Sequence, residues 1–138
     1  MSPRLNFNTV SVQNLMNCTT FSYNCAVLLF NGRPLVLTEV EKCAPAILEM
    51  WFPGTEGGNA AAELLFGEAN PSGKLSMSFP KSVGQCPIYY NRMLSGRPNY
   101  KPDGEWQAFA NGYLDCGSRP LFFFGEGLSY TSFEYESM

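Results

Sequence analysis

The residues of this sequence that could do chemistry are mainly carboxylates, because none of its 138 residues is histidine. The missing imidazole excludes the serine and cysteine triads and the common metal sites. Three acids stand among glycines or in turns: Glu56 in PGTEGG, Asp115 in GYLD and Glu126 in FGEG. Glu56 suits the first turn of a helix, where a negative charge complements the helix dipole, and the other two suit hydrogen-bonded or solvated loop acids. The sequence therefore assigns no catalytic residue.

The loop YYNRMLSGRPNY offers a different chemistry, that of sugar recognition. Sugar sites usually combine an aromatic face with polar donors that bind two hydroxyl groups at once. Tyr90, Asn91 and Arg97 are therefore candidate contacts for a carbohydrate substrate. The alternative interpretation is that these side chains pack the loop against another domain.

The cysteines are the remaining reactive side chains. They are odd in number and widely spaced, at Cys18, Cys25, Cys43, Cys86 and Cys116. No two of them form a CxxC pair, and no histidine is present to complete a zinc site. The pattern predicts buried or free thiols, and neither a metal nor a cofactor is expected.

Composition and charge limit the partners. A chain of this length with 45% hydrophobic and 15% charged residues is typical of one globular domain. Its net charge of -3 and the absence of a lysine or arginine run argue against a nucleic-acid partner. The apolar run from Ala26 to Phe30 is far shorter than the roughly 20 residues of a membrane helix, and MSPRLNFNTV lacks a signal-peptide core. We therefore expect no membrane partner, and a chain that is cytoplasmic as written or cut from something longer.

The elements that must position these residues begin with short apolar runs. CAVLLF, residues 25–30, has the length and composition of a strand covered on both faces, and LVL, residues 35–37, predicts a second buried run. Thr38 and Glu41 have the spacing of a capping box, which predicts a helical turn that ends before a proline. AILEMWF, residues 46–52, predicts a third strand, after which Trp51 should belong to the core.

A helix and a further strand follow. AAAELLF favours a helix that Asn59 caps, or one whose first turn contains Glu56, and Gly67 suits its left-handed end. Its apolar face should lie flat on a sheet. KLSMSF, residues 74–79, alternates as a half-buried strand does, so the segment reads as a βαβ-like unit. The glycines before the helix fit a tight turn better than a phosphate site, because their spacing matches neither GxGxxG nor a P-loop.

The rest of the chain is less regular. Residues 81–120 carry hardly a periodic segment, which predicts a long loop region that is either functional or disordered. In the final stretch, Thr131, Phe133 and Tyr135 alternate as in an edge strand that leads out of a domain.

Several linked motifs carry a resemblance to a known family. PAILEMWFPGTEGGNAAAELLFGEANPSGKLSMSFPKSVGQCPIYYN, SGRPNY, GYLD and PLFFFGEGLSYTSFEYE, in this order, resemble the second-domain region of glycoside hydrolase family 3, the β-glucosidase and β-xylosidase family. The resemblance covers about residues 25–136. It implies a partial α/β sandwich with a flavodoxin-like layered sheet, covering helices and long irregular loops.

The same resemblance implies a division of the chain. Residues 1–24 match the family poorly, residues 25–128 correspond to an incomplete C-terminal α/β sandwich, and residues 129–138 lead toward a fibronectin-type domain that is absent. The family's (β/α)8 barrel needs about 250 residues, so this sequence cannot contain it. The expected partners are therefore the absent barrel and, through the complete enzyme, a β-linked glucoside or xyloside.

Family members are retaining enzymes with two carboxyl groups about 5 to 5.5 Å apart. In the family the nucleophile is an aspartate of the barrel, and in many members the acid/base is a glutamate upstream of the first sandwich strand. Residues 1–24 contain no acidic residue, so this chain is expected to be inactive alone. Two alternatives stay open: a stand-alone carbohydrate-binding or structural module, and a flavodoxin-like domain that binds phosphate ligands.

Overall fold

The structure is a computed structural model that describes residues 25–93, 96–98, 105, 107–113, 115–134 and 136. Its regular elements come early in the chain: strand β1 (Ala26–Leu29), helix α1 (Thr38–Cys43), strand β2 (Ala46–Glu49), helix α2 (Gly57–Phe66) and a 3₁₀ turn at Val83–Gln85. β1 and β2 are parallel neighbours, with Ala26 opposite Ala46 and Leu29 opposite Glu49. The βαβ unit is therefore β1–α1–β2, one element earlier than the sequence predicted.

The core forms where this unit meets a later segment. Val27 and Leu29 of β1, Val40 of α1, Leu37 and Phe79 are buried together. Burial of each large apolar side chain contributes about 1.5–3 kcal/mol, so these few contacts supply much of the stability of the described fold.

Phe79 is the centre of an aromatic cluster within this core. Its ring centroid lies 5.9 Å from that of Trp51 and 6.1 Å from that of Phe122. Trp51 packs against the core, as the sequence predicted. Phe79 therefore joins the regular elements to the segments that follow α2.

α1 begins differently from the sequence prediction. Leu37 is its N-cap and no side chain caps the helix, so the capping box of Thr38 and Glu41 does not form. The Thr38 hydroxyl instead donates to the Lys81 carbonyl oxygen at 2.8 Å. The helix does end before the proline, with Ala44 in an extended conformation. Thr38 thus connects the helix to the loop region rather than to its own backbone.

Two predicted strands are shorter than expected or missing. LVL forms no strand, and Val36 is 42% exposed although Leu37 is buried. β2 ends at Glu49 because Trp51 has a φ of 51°, in the left-handed region where an extended strand cannot continue. The sequence carries no signal for this conformation, because Trp is not a residue that favours it.

KLSMSF also differs from the prediction, since it forms no strand of its own. Ser78 is buried whereas Met77 is 49% exposed, which breaks the expected alternation. The Ser78 hydroxyl accepts a hydrogen bond from the Phe124 amide at 3.3 Å, and this bond compensates for its burial. Phe79 and Phe122 form an antiparallel bridge.

Further backbone bonds join the segment after α2 to the C-terminal part of the chain. The Leu75 amide donates to the Glu126 carbonyl at 2.8 Å, and the Gly125 amide donates to the Leu75 carbonyl at 2.7 Å. No strand is assigned among the described residues from 129 onward, which corrects the predicted edge strand at Thr131 and Phe133, and Tyr135 lies outside the described residues. The boundaries 25–128 and 129–138 stay predictions.

α2 has the predicted end but not the predicted beginning or packing. Gly67 closes it with a φ of 79°, as expected. Glu56 is the N-cap without a side-chain cap bond, and Asn59 lies inside the helix. Only Gly57 and Ala61 of the helix are buried, and Phe66 is 65% exposed. The helix therefore does not lie flat on the described sheet.

The predicted fold class is confirmed: the described residues form a partial α/β domain with long irregular loops, and they contain no barrel. Cys43 is disulfide-bonded, which corrects the prediction of free or buried thiols at that position. Cys25, Cys86 and Cys116 are free, and Cys18 lies outside the described residues. In the part of the chain that the structure describes, no helix has the length and apolar character needed to cross a membrane.

Candidate functional site

A buried glutamine organises the loop region that carries the candidate site. Gln85 is only 1% exposed. Its Oε1 accepts a hydrogen bond from the Lys81 amide at 2.6 Å, and its Nε2 donates to the carbonyls of Gly117 at 2.6 Å and Arg119 at 3.2 Å. One side chain therefore satisfies three backbone groups on two loops that have no regular secondary structure to satisfy them.

The same residue also holds the segment around Tyr113. The Tyr113 hydroxyl donates to the Gln85 carbonyl oxygen at 3.3 Å. The Asn111 amide donates to the Arg97 carbonyl at 2.8 Å, and Asn111 forms a parallel bridge with Pro98. Contacts thus run from Gln85 through residues 111–113 to the loop of Arg97.

The structure gives the three predicted site residues different surroundings. The Tyr90 ring stacks on Phe124, with ring centroids 4.2 Å apart and planes inclined by 20°. Asn91 lies in the adjacent turn and is exposed. Arg97 is exposed and has a φ of 58°, a left-handed conformation that costs a non-glycine residue about 1–3 kcal/mol. Tyr90 thus has a packing partner and a largely free ring, whereas Arg97 is held through its backbone.

A cavity of about 270 Å³ opens beside Gln85, and none of the three predicted residues lines it. Its other walls are Pro87, Ile88, Tyr89, Arg92, Tyr113 and Ser118. The wall at Ser118 depends on a glycine, because a Cβ atom on Gly112 would lie 3.1 Å from the Ser118 hydroxyl oxygen. The cavity has apolar and aromatic walls with an arginine and a hydroxyl among them, the composition of a small-ligand site.

The sequence prediction did not include the residues that line this cavity. Tyr89 and Arg92 flank the predicted pair Tyr90 and Asn91, so the aromatic and basic content of the loop was the available signal. Tyr113 lay in the GYLD motif, which was noted for its aspartate only. Gln85 had no signal, because nothing in FPKSVGQCP distinguishes a buried glutamine from a solvated one.

Two of the three acids that the sequence pointed to have structural contacts. Glu56 Oε2 accepts a hydrogen bond from Asn59 Nδ2 at 2.6 Å. Glu126 Oε2 accepts one from the Phe123 amide at 2.7 Å. Asp115 is exposed. In the described ranges, no three Cys, Asp or Glu side chains gather as a metal site would require.

Glu49 is an acid that the sequence reasoning did not single out. It lies at the carboxyl end of β2, and burial raises its pKa above the ordinary value. The Trp51 amide, which donates to Oε1 at 3.0 Å, and the Asn31 side chain act in the opposite direction but do not cancel the effect of burial. Glu49 Oε2 and Asn31 Oδ1 are buried without a hydrogen-bond partner among the described residues. Ionisation of this carboxyl group is therefore disfavoured.

Comparisons with known proteins agree on one family. The family model described as the glycosyl hydrolase family 3 C-terminal domain matches residues 5–130, so the match begins within the segment that the sequence resemblance left out. The periplasmic β-glucosidase of Salmonella typhimurium is 54% identical over 107 residues, which are 78% of this chain and 14% of that protein. A β-xylosidase of Formosa agariphila is 45% identical over 109 residues, which are 79% of this chain and 14% of that protein.

A solved structure gives the same result. The β-glucosidase of Listeria innocua in complex with isofagomine matches with a TM-score of 0.72 and 50% identity, over 79% of this chain and 15% of that one. The same Listeria enzyme is also solved with glucose and, as a mutant, with laminaribiose. The chain therefore spans only about one seventh of the length of these relatives. Because the family model matches residues 5–130, the chain belongs to glycosyl hydrolase family 3, to that family's C-terminal domain.

Proposed function

We propose that this chain is the C-terminal part of a retaining β-glucosidase-type hydrolase, and that its irregular loops form one wall of the active site. In this role it presents side chains to a substrate that a barrel domain holds and cleaves. The substrate is a β-linked glucoside or xyloside, by analogy with the relatives named above. Without the barrel the chain does not turn over glycosides.

The observation that carries this proposal is the aromatic surface of the irregular loops. Tyr90 is 69% exposed although it stacks on Phe124, which is itself 45% exposed. Isolated exposed apolar residues are ordinary, but a contiguous exposed patch marks an interaction surface or a ligand site. Further large side chains of these loops are exposed as well: Tyr89, Met93, Phe109 and Phe123.

The charges of the same loops support contact with polar ligands. Residues 81–124 carry a net charge of +2, although the whole chain carries -3. Arg92 and Arg97 are both exposed in this region. Guanidinium groups beside aromatic rings bind vicinal hydroxyl or carboxylate groups through paired hydrogen bonds.

Tyr90, Asn91 and Arg97 remain our candidates for substrate contacts within this wall. Tyr90 offers an open ring face, and Asn91 offers an exposed amide beside it. Arg97 is fixed at its backbone by the amide of Asn111, so its side chain leaves the loop from a defined point. These features suit residues that must meet a substrate held by another domain.

The absence of turnover by the chain alone follows from the chemistry of retaining enzymes. They need a nucleophile and an acid/base on opposite sides of the scissile bond. Glu56 and Glu126 are engaged with neighbouring groups of their own loops. Neither is paired with a second carboxyl group in these contacts, so neither takes a catalytic role in this proposal.

Hydrolysis of 4-nitrophenyl β-glucoside and β-xyloside tests the proposal. The purified chain is assayed alone and with a separately expressed family 3 barrel. We expect no turnover above background from the chain alone and measurable turnover after the barrel is added. Turnover by the chain alone would contradict the proposal. Sugar binding by the chain, combined with no turnover after the barrel is added, would also contradict it, because that result indicates a stand-alone binding module.

A further inference from the structure

The cavity beside Gln85 carries an inference about ligand chemistry that the sugar-binding role does not contain. We propose that this cavity binds a single ring that bears a carboxylate, with the ring against Tyr89 and Tyr113 and the carboxylate on the Arg92 guanidinium. We assign this ring as the leaving group of the glycoside, and that assignment rests on the proposed function. The binding itself does not.

The size of the cavity limits the ligand. Its volume of about 270 Å³ is at the small end of ligand pockets, which hold about 300–1,000 Å³ for drug-sized molecules. A cavity of about 150 Å³ accommodates benzene, so this space admits one six-membered ring with its substituents. Pro87 and Ile88 give it an apolar floor, and the two tyrosines give it aromatic walls, so a flat or weakly polar ring face is favoured.

The positive charge at the cavity favours a carboxylate on the bound ring. The salt bridge between described residues is that of Lys42 and Glu39, far along the chain, so Arg92 has no acidic partner in the described part of the protein. An exposed guanidinium beside an apolar wall presents a planar pair of donors that matches a carboxylate better than a single hydroxyl group. Ser118 supplies a further hydroxyl at the wall.

The walls are also held in place before a ligand arrives. The Tyr113 hydroxyl is bonded to the Gln85 carbonyl, and Gln85 is fixed by three further hydrogen bonds of its side chain. A site whose walls are fixed loses less conformational entropy when the ligand binds. Arg92 is exposed at the wall of the cavity, where its guanidinium can meet the carboxylate.

The experiment compares 4-hydroxybenzoate with 4-hydroxybenzyl alcohol, which have the same ring and differ in the charged group. Binding to the purified chain is measured by calorimetric titration at low salt. We expect the carboxylate to bind at least about tenfold more tightly than the alcohol, and we expect added salt to reduce the difference.

Arg92→Gln and Arg92→Lys identify the group that recognises the carboxylate. Arg92→Gln should abolish the preference while circular dichroism stays unchanged, and Arg92→Lys should retain part of it, because lysine keeps the charge but not the planar fork. Arg33→Gln, which changes an exposed arginine of the loop after β1, is the matched control and should keep the full preference.

Three outcomes overturn the inference: equal affinity for the two probes, a preference that survives in Arg92→Gln, or no binding of either probe. The result is independent of the barrel assay. If the chain preferred the carboxylate through Arg92 but showed no turnover with a barrel, the proposed binding site would stand. The proposed function would then be contradicted instead.

Discussion

The regular half of the described chain, residues 26–66, and the irregular half, residues 75–126, are held together by different forces. In the first, backbone hydrogen bonds of two strands and two helices satisfy the main chain, and apolar side chains of β1 and α1 form the core. In the second, backbone groups that no helix or strand satisfies are bonded by side chains such as Gln85 and Ser78. Loops of this domain are therefore held in place by side-chain hydrogen bonds without helices or strands.

The two halves also differ in charge and exposure. Residues 26–66 carry a net charge of -3, whereas residues 75–126 carry +1. The irregular half exposes the stacked rings of Tyr90 and Phe124. A scaffold with an acidic surface and a basic, aromatic loop region suits a division of labour between stability and ligand contact.

The largest effect is expected where the two halves meet. Phe79 is 1% exposed and contacts both Trp51 and Phe122. Phe79→Ala should lower the free energy of unfolding by about 3–5 kcal/mol, because it removes a buried ring and leaves a cavity. Urea denaturation of the purified chain measures this loss.

Phe109→Ala is the control for that experiment, because Phe109 is 85% exposed and its truncation should change stability by less than about 0.5 kcal/mol. If Phe79→Ala cost no more than Phe109→Ala, the two halves would not share a core.

A smaller and more local effect is expected at Gln85. Gln85→Met keeps the length of the side chain but leaves the Lys81 amide and the carbonyls of Gly117 and Arg119 without this partner. We expect a loss of about 2–4 kcal/mol, because each buried polar group left unsatisfied costs about 1–3 kcal/mol and the loops relax toward water.

Hydrogen exchange resolves where the loss occurs. Amides of residues 81–124 should exchange faster in Gln85→Met, while those of β1 and α1 change little. Val83→Ala, in the same 3₁₀ turn and 78% exposed, is the matched control. An equal loss of protection in both halves would show that Gln85 supports the whole domain, and it would contradict the claim that the two halves are held together by different interactions.

The smallest effect is expected from Glu49, and it depends on pH. Because burial raises the pKa of Glu49 in the folded chain, the protonated form is favoured in the fold. The unfolded carboxyl group titrates near 4.3, so the stabilisation is full below that pH and is lost as the pH rises through the folded pKa.

Glu49→Gln should remove this loss, so the variant is expected to be slightly more stable than the native chain at neutral pH, by less than about 1 kcal/mol because solvent screens the partly exposed group. Thermal melts between pH 4 and pH 8 provide the measurement. Glu41→Gln, an exposed acid of α1, should retain the native pH dependence. If the melting temperature of Glu49→Gln changed with pH as that of the native chain does, groups other than Glu49 would cause the pH dependence.

The sequence predicted best those features that depend on local pattern. The apolar run of β1 and the left-handed glycine at the end of α2 follow from composition and backbone freedom, and both were correct. The motif order was sufficient to predict the family. KLSMSF was misjudged because a tertiary hydrogen bond to Ser78 makes a polar residue a buried one.

The candidate site was less predictable, for the same physical reason. The left-handed conformation of Trp51 ends β2 early, and nothing local favours it. Gln85 and Tyr113 meet across 28 positions of sequence, so their contact is visible only once the chain is folded. The aromatic and basic residues of YYNRMLSGRPNY made this loop a candidate, but the sequence does not show which of them face the cavity.

The central claim is that the irregular half forms a competent wall of a β-glucosidase site. Its most direct test is a chimera in which residues 25–131 of this chain replace the matching part of the Salmonella typhimurium β-glucosidase, with kcat/KM for 4-nitrophenyl β-glucoside as the measurement. We predict a value within about tenfold of that of the Salmonella enzyme, because the loops and their supports are retained. A folded chimera that binds the substrate but has lost at least about a thousandfold in kcat/KM would contradict the claim.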